Sequence, residues 1–242
     1  MIGVILAAGM ARRLRPLTDT RPKCLLSVGE RTLLQRTVDA MVAAGIQELI
    51  VVTGYRAEML RTFLTEHYPS LNIHFIHNAD YEHNNNIYSL WMTRPYTDGH
   101  DFLLMDSDIL FDPAVLPYLL KNEGTVLAVN RHELGEEEIK VITDADGYVT
   151  EISKTCSIDA AIGESVGIEK MDADYSTALF HELEQMIEHE GLIDVFYELA
   201  FERLIPQGHR FRAVDTTSFF SIELDTVEDF ERAKELIPAE LY

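Results

Sequence analysis

The sequence predicts an α/β fold in which a mainly parallel sheet is flanked by helices. Short apolar runs have the composition of buried strands, and they cover residues 2–6, 49–52, 73–76, 102–105 and 125–129. Segments with apolar residues at helical spacing lie between strands, which is the order of βαβ units. Ligands of such sheets bind beyond the carboxyl ends of the strands, so residues that directly follow these runs are the first site candidates.

The first half of the chain shows this alternation most clearly. The run at 2–6 ends in the small residues Ala7-Ala8-Gly9, which predict a turn. Apolar residues recur at helical spacing between 33 and 42, and Gly45 predicts the end of that helix. Residues 57–63 predict a second helix after the strand at 49–52.

The second half is less regular. Residues 144–147 (D-A-D-G) predict a hairpin turn between strands at 141–142 and 148–152. A β-like stretch follows at 163–168, and the remaining segments predict helices at 175–187 and 195–204, a strand at 219–224 and a closing helix at 227–236. No repeat, linker or low-complexity tract divides the chain.

The charge distribution argues against a nucleic-acid or anionic-membrane surface. The formal net charge of the 242 residues is −21, whereas such surfaces are bound by clustered Lys and Arg. One basic cluster stands out within twelve positions, opposed only by Asp19: Arg12, Arg13, Arg15, Arg21 and Lys23. A small anionic substrate is the simplest reason for it.

The compartment is expected to be the cytoplasm. The two cysteines, Cys24 and Cys156, form neither a disulfide framework nor a metal-ligand spacing. The N-terminus lacks signal-peptide anatomy, and no apolar stretch approaches the roughly 18 residues that cross a bilayer.

The glycine turn after the first strand is a candidate phosphate site. Its small residues let a phosphate approach the backbone N–H groups that the turn exposes. Neither the Walker A pattern nor the dinucleotide G-x-G-x-x-G pattern is present. The spacing alone leaves a basic surface loop as the alternative.

A longer pattern around this turn resembles a known family. Residues 6–18 (L-A-A-G-M-A-R-R-L-R-P-L-T), followed by Pro22-Lys23, resemble the signature L-A-A-G-x-G-x-R-L-x-P-L-T and P-K of nucleotidyltransferases that activate sugar phosphates and phospho-alcohols. Ala11 stands where that family usually has a second glycine. The resemblance implies a single Rossmann-like nucleotidyltransferase domain over 1–242, with a nucleotide-binding part at 1–130 and an acceptor-binding part with the closing helix at 131–242.

The resemblance also implies the reaction. The acceptor phosphate would attack the α-phosphorus of a nucleoside triphosphate, and pyrophosphate would leave. Arg13 would hold the β- and γ-phosphates, Lys23 would bridge the α-phosphate and the attacking phosphate, and the turn residues Leu6, Ala7, Ala8 and Gly9 would contact the nucleotide.

A magnesium site is implied at two strand ends. Asp108, in the segment F-L-L-M-D-S-D, matches the acidic metal ligand of the family, and Asp106 would contact the nucleotide or support the site. Mg²⁺ prefers carboxylates together with phosphate oxygens and water. Asp225 would be the second ligand, and the alternative is that it only caps the closing helix.

The run N-N-N-I-Y-S-L-W at 84–91 is similar to the N-N-x-Y-S-L segment of CTP:phosphocholine cytidylyltransferases. It implies that Asn85, Asn86 and Ser89 contact the base or ribose of CTP. A turn and helix cap would also explain consecutive asparagines.

The acceptor residues follow from the same resemblance. Lys154 would hold the acceptor phosphate, with an exposed strand-end lysine as the alternative, and Glu164 would pair with an ammonium head group. Aromatic faces usually bind a quaternary ammonium, and Tyr88 and Tyr197 are the aromatic candidates placed in the acceptor site.

These observations predict a Mg²⁺-dependent cytidylyltransferase that uses CTP and a phospho-amino-alcohol, with phosphocholine preferred. The alternatives are a 2-aminoethylphosphonate cytidylyltransferase, a sugar-1-phosphate nucleotidyltransferase, and a non-catalytic nucleotide-binding subunit. Neither nucleic acid nor membrane is an expected partner, and a homodimer remains open.

Overall fold

The computed structural model describes residues 1–239 and 241–242 and has an α/β architecture, which confirms the predicted fold class. The strands are β1 (Ile2–Ala7), β2 (Ser27–Val28), β3 (Arg31–Thr32), β4 (Glu48–Thr53), β5 (Asn72–His77), β6 (Phe102–Asp106), β7 (Ile109–Phe111), β8 (Val126–Asn130), β9 (Lys140–Thr143), β10 (Val149–Ser153), β11 (Gly163–Met171), β12 (Arg212–Asp215) and β13 (Ser221–Glu223). The helices are α1 (Leu33–Ala43), α2 (Ala57–His67), α3 (Asn86–Met92), α4 (Arg94–Thr97), α5 (Val115–Leu120), α6 (Ala173–Glu184), α7 (Glu198–Leu204) and α8 (Val227–Leu236).

The main sheet is mixed. Its central order is β10-β9-β11-β6-β1-β4-β5, and β8 and β12 extend from β11. The strands of the first half, β6, β1, β4 and β5, are mutually parallel, as βαβ units require. The predicted hairpin forms β9 and β10, and β11 runs antiparallel to β6 and joins the two halves.

The sheet separates two apolar layers. One layer centres on residues such as Val4, Leu104 and Phe180, beneath α3, α6 and α7. The other centres on residues such as Ile5, Met41 and Met105, beneath α1 and α2. Alternate residues of β1 and β6 therefore enter opposite cores, so both strands are buried and their carboxyl ends are held in fixed positions.

Several local signals explain where the helices begin and end. Gly45, with φ of +86°, follows the end of α1, as predicted. Thr226 caps α8 in a capping box with Asp229. Within the described residues, none of the helices combines the length and the apolarity that crossing a bilayer requires.

Candidate active site

A cavity of about 830 Å³ opens at the carboxyl ends of β1 and β6. Residues from both halves of the chain line it. Most of the predicted site residues are among them: Leu6, Ala7, Ala8, Gly9, Arg13, Lys23, Asn85, Asn86, Ser89, Asp106, Asp108, Lys154, Glu164 and Asp225. Residues distant in sequence thus meet at one sheet edge, as the strand order predicts.

The glycine turn leaves one wall of the cavity free of side chains. A Cβ added at Gly9 would meet no atom within 4 Å. The turn is fixed from behind, because Tyr55 N donates to the carbonyl of Ala8 at 2.9 Å. Open space beside exposed backbone is what a phosphate needs to approach N–H groups.

Ala11 adopts a left-handed backbone conformation, with φ of +46° and ψ of +57°. Thr18 Oγ1 donates to the Ala11 carbonyl at 3.0 Å and holds the loop in this shape. The conformation costs an L-residue about 1–2 kcal/mol relative to glycine, which gives a physical reason for a glycine at this position of the signature.

The two predicted catalytic cations contact the predicted metal ligands. Lys23 Nζ lies 3.0 Å from Asp108 Oδ2 and 2.7 Å from Asp225 Oδ1, and Arg13 pairs with the other oxygen of Asp225. Burial alone would lower the pKa of Lys23, but Asp108 and Asp225 outweigh it, so the pKa is raised. Burial alone would raise the pKa of Asp225, but Lys23 and Arg13 outweigh it and hold the pKa below its usual value.

Three carboxylates converge at this point. Asp108, Glu223 and Asp225 each offer an oxygen, and these oxygens lie within 4.8 Å of one another. Burial, followed by the charges of Asp108 and Asp225, raises the pKa of Glu223 to about 8. An all-carboxylate donor set fits Mg²⁺, whose charge would offset this repulsion. Thr226, not Asp225, is the N-cap of α8, so the alternative that Asp225 merely caps the helix is wrong.

Sequence reasoning missed Glu223. It stands two positions before Asp225, at the end of β13, and β13 pairs with β7. The i, i+2 spacing on a strand puts both carboxylates on one side, and this spacing was the available signal.

The asparagine run has a structural role and also lines the cavity. Asn85 caps α3 by accepting a hydrogen bond from Asn86 N at 2.8 Å, which confirms the cap interpretation for this residue. Asn78 Nδ2 donates to Asn84 Oδ1 at 2.8 Å and to Ser89 Oγ at 3.2 Å. These bonds fix the polar wall opposite the glycine turn.

At the other end of the cavity, Lys154 and Glu164 already have partners. Lys154 Nζ lies 3.3 Å from Glu137 Oε2 and 4.9 Å from the Phe196 ring centre. Glu164 Oε2 contacts His132 Nε2 at 2.7 Å. Burial raises the pKa of Glu164, although the hydrogen bond with His132 opposes the rise.

The two predicted aromatic acceptor contacts do not line the cavity. Tyr88 lies on α3, is half-buried, and packs against the core. Tyr197 is fully buried, and its hydroxyl donates toward Asp106 Oδ2 (3.2 Å) and Glu169 Oε2 (3.4 Å). The assignment of Tyr88 and Tyr197 as direct acceptor contacts is therefore corrected: Tyr197 has no surface to offer a ligand. The aromatic side chains Tyr81, Phe196 and Phe220 do line the cavity.

Residues 3–203 match the MobA-like NTP transferase domain, and the chain belongs to this family. It is a nucleotidyltransferase family, as the resemblance implied. The glycine turn, the paired cations and the carboxylate group line one cavity of this chain.

Two relatives and one solved structure illustrate the similarity. The chain is 28% identical over 240 residues to the CMP-5'-(3-aminopropyl)phosphonate synthase of Streptomyces rubellomurinus, with 95% of this chain but only 38% of that protein covered. It is 24% identical to the choline-phosphate cytidylyltransferase of Streptococcus pneumoniae, over 99% of this chain and 100% of that one. The solved CTP:phosphocholine cytidylyltransferase of Streptococcus pneumoniae has the same fold, with a TM-score of 0.79 at 21% identity over 98% of this chain and 99% of that chain.

Proposed function

We propose that the protein is a cytidylyltransferase that transfers CMP from CTP to a small acceptor bearing a phosphate or phosphonate and an amino alcohol or amine. The observation that supports this most strongly is the group formed by Lys23, Asp108 and Asp225 beside the glycine turn. Fixed cations next to a carboxylate metal site are the elements that phosphoryl-type transfer needs. The similarity to cytidylyltransferases and the asparagine segment favour CTP as the donor.

In the proposed reaction, an oxygen of the acceptor phosphate or phosphonate attacks the α-phosphorus of CTP. The bond from the α-phosphorus to the oxygen that bridges to the β-phosphorus breaks, and that electron pair leaves with pyrophosphate. Lys23 donates hydrogen bonds to the α-phosphate and to the attacking group, which holds two anions together. Arg13 offsets the charge that develops on the leaving pyrophosphate.

The carboxylates determine when these cations are available. In the structure, Asp225 accepts from both Arg13 and Lys23. Mg²⁺ held by Asp108, Glu223 and Asp225 would neutralise phosphate charge and polarise the phosphoryl oxygens. When a nucleotide binds, Arg13 and Lys23 would exchange carboxylate oxygens for phosphate oxygens, so neither cation would be left unpaired.

A pyrophosphate-release assay tests this function. CTP is offered with phosphocholine, phosphoethanolamine, 2-aminoethylphosphonate or glucose-1-phosphate, and UTP, GTP and ATP serve as donor controls. Release with CTP and an amine-bearing acceptor supports the proposal. Preferred turnover of glucose-1-phosphate would instead support the sugar-1-phosphate alternative, and no release with any pair would favour a binding subunit.

A further inference from the structure

Three acidic side chains cluster at the wall of the cavity. Asp106 ends β6, Glu169 lies in the adjacent strand β11, and Glu198 is the first residue of α7. We call these three residues the buried carboxylate cluster. Glu169 is 1% exposed and Glu198 is 5% exposed, and both Asp106 and Glu198 line the cavity.

The protein supplies few hydrogen-bond donors to this cluster. Tyr197 shares one hydroxyl proton between Asp106 and Glu169, and Ser165 Oγ donates to Glu169 Oε1 at 3.3 Å. Glu198 Oε2 is buried without a hydrogen-bond partner. Among residues 1–239 and 241–242, no Lys, Arg or His side chain forms an ion pair with any member of the cluster.

Such an arrangement is costly unless something else supplies charge and donors. A buried carboxylate loses its hydration and is stable only when it is paired, hydrogen-bonded or protonated. Three neighbouring carboxylates add mutual repulsion. Glu198 combines an unpartnered buried oxygen with a place in the cavity wall, so a ligand in the cavity would relieve its desolvation most directly.

We infer that the buried carboxylate cluster binds the protonated primary amine of the acceptor, and that Glu198 is the residue that determines this specificity. This inference rests on the proposed function and narrows its acceptor class. A primary ammonium brings one positive charge and three N–H donors. These supply the counter-charge and the hydrogen bonds that the cluster lacks.

The other head groups fit less well. A trimethylammonium has no N–H donor, so it would leave the Glu198 oxygen unpartnered. A sugar brings hydroxyl donors but no charge to offset the three carboxylates. Glu164, the head-group candidate from the sequence, is already bonded to His132 and does not share the deficit.

Lys154 sets the distance between the two ends of the acceptor. Burial raises the pKa of Glu198 to about 7, and the nearby charge of Lys154 opposes that rise. Lys154 Nζ also lies over Phe196, two residues before Glu198. An anion on Lys154 and a cation on Glu198 would thus be neighbours, which points to a zwitterion with a short alkyl chain, such as an ω-aminoalkylphosphonate.

The decisive measurement is kcat/KM at saturating CTP for two acceptors that differ only in the amine, 2-aminoethylphosphonate and ethylphosphonate, with phosphocholine as a third. Wild type should favour 2-aminoethylphosphonate over both. The isosteric variant Glu198→Gln should lose about 10- to 100-fold with 2-aminoethylphosphonate, the range of a charge-assisted hydrogen bond, and less than about threefold with ethylphosphonate. Glu169→Gln should shift the same ratio in the same direction.

Glu202→Gln, on the same helix but outside the cavity lining, is the matched control and should keep the wild-type ratio. An equal loss of both acceptors in Glu198→Gln would show a merely structural residue and overturn the inference. A wild-type preference for phosphocholine would overturn it as well.

Titration calorimetry separates this inference from the proposed function. The same two phosphonates are titrated into wild type and Glu198→Gln, and this readout needs no turnover. Tighter binding of the amine ligand that is lost in the variant supports the inference even if wild type releases no pyrophosphate. Equal binding of the two phosphonates to wild type overturns it even if the enzyme is an active cytidylyltransferase.

Discussion

The two ends of the cavity handle charge in opposite ways. At the glycine-turn end, Lys23 and Arg13 are paired with carboxylates, and Asp225 serves both cations. At the acceptor end, Asp106, Glu169 and Glu198 have one tyrosine and one serine as side-chain donors. The comparison leads us to expect that the cations of the first end exchange carboxylate partners for phosphate oxygens on binding, whereas the carboxylates of the second end gain a cationic partner from the ligand.

The largest effect should come from removing the cation that the first end exchanges. Lys23→Ala should lower turnover by about 10²–10³-fold, because in the proposed reaction one ammonium serves both reacting phosphates. Steady-state pyrophosphate release measures this loss, and circular dichroism checks that the fold is retained. Arg12→Ala is the matched control, because Arg12 is exposed and, among the residues that the structure describes, its ion-pair partner is Glu82 at 3.7 Å. Near wild-type turnover in Lys23→Ala would contradict the proposed role of Lys23 in holding the reacting phosphates.

The metal ligands of the same end should come next. If the proposed metal site is correct, Asp225→Asn should raise the Mg²⁺ concentration needed for half-maximal activity and lower kcat by about 10²-fold, since the ion would stabilise developing charge by several kcal/mol. A Mg²⁺ titration of activity measures both quantities. Thr226→Val removes the α8 cap without touching the carboxylate, so it should destabilise α8 while keeping the wild-type Mg²⁺ titration. An unchanged Mg²⁺ curve in Asp225→Asn would contradict the metal assignment.

At the end that contains Glu198, the pH dependence of the free energy of unfolding provides a further test. Burial raises the pKa of Glu198 to about 7 from an ordinary value of 4.5. The folded state therefore binds more protons than the unfolded state between these values, and the free energy of unfolding falls as pH rises through this window. The loss from this group approaches about 3 kcal/mol above pH 7. Glu198→Gln does not titrate and should lose less stability than wild type between pH 5 and pH 8.

Urea unfolding of both proteins at pH 5 and pH 8 measures this difference. The pH dependence of the Glu198 variant also reflects the charged and titratable groups that face it, namely Lys154, Asp106, Glu169 and Tyr197. Glu169 and Asp106 titrate in both proteins, so only the difference between the two pH dependences tests Glu198. If the free energy of unfolding changed equally with pH in both proteins, Glu198 would not be a destabilising charge.

The smallest effect concerns the exposed pair at the cavity rim. Glu137→Gln frees Lys154 from a partner whose side chain is 81% exposed. Exposed ion pairs contribute about 0–1 kcal/mol, so the KM for the acceptor should fall by about fivefold or less while kcat stays the same. Acceptor saturation curves decide this. A rise in KM would mean that Glu137 helps to position Lys154 rather than competing for it.

Much of the fold was predictable because its signals are local. The closing helix was predicted at 227–236, and α8 spans Val227–Leu236, because a capping box and helical spacing are both contained in that segment. The turn residues and Lys23 were likewise predictable from one contiguous signature. Glu169 and Glu198 were not, because their placement depends on β11 lying beside β6 and on α7 packing against β10 and α6. Tyr197 was identified as a candidate for acceptor contact. The fold buries it, and its hydroxyl donates to carboxylates instead.

The pairing of β13 with β7 also brings together residues from the two ends of the chain. Lys23 and Arg13 lie near the start of the chain, whereas Glu223 and Asp225 lie more than 190 positions later, next to strand β13. The parallel half of the sheet forms its contacts without this late segment, and Lys23 can pair with Asp108 there, but neither cation reaches Asp225 until β13 docks on β7. We therefore expect a shortened copy that lacks β13 to leave Arg13 without its carboxylate partner and Lys23 with Asp108 alone.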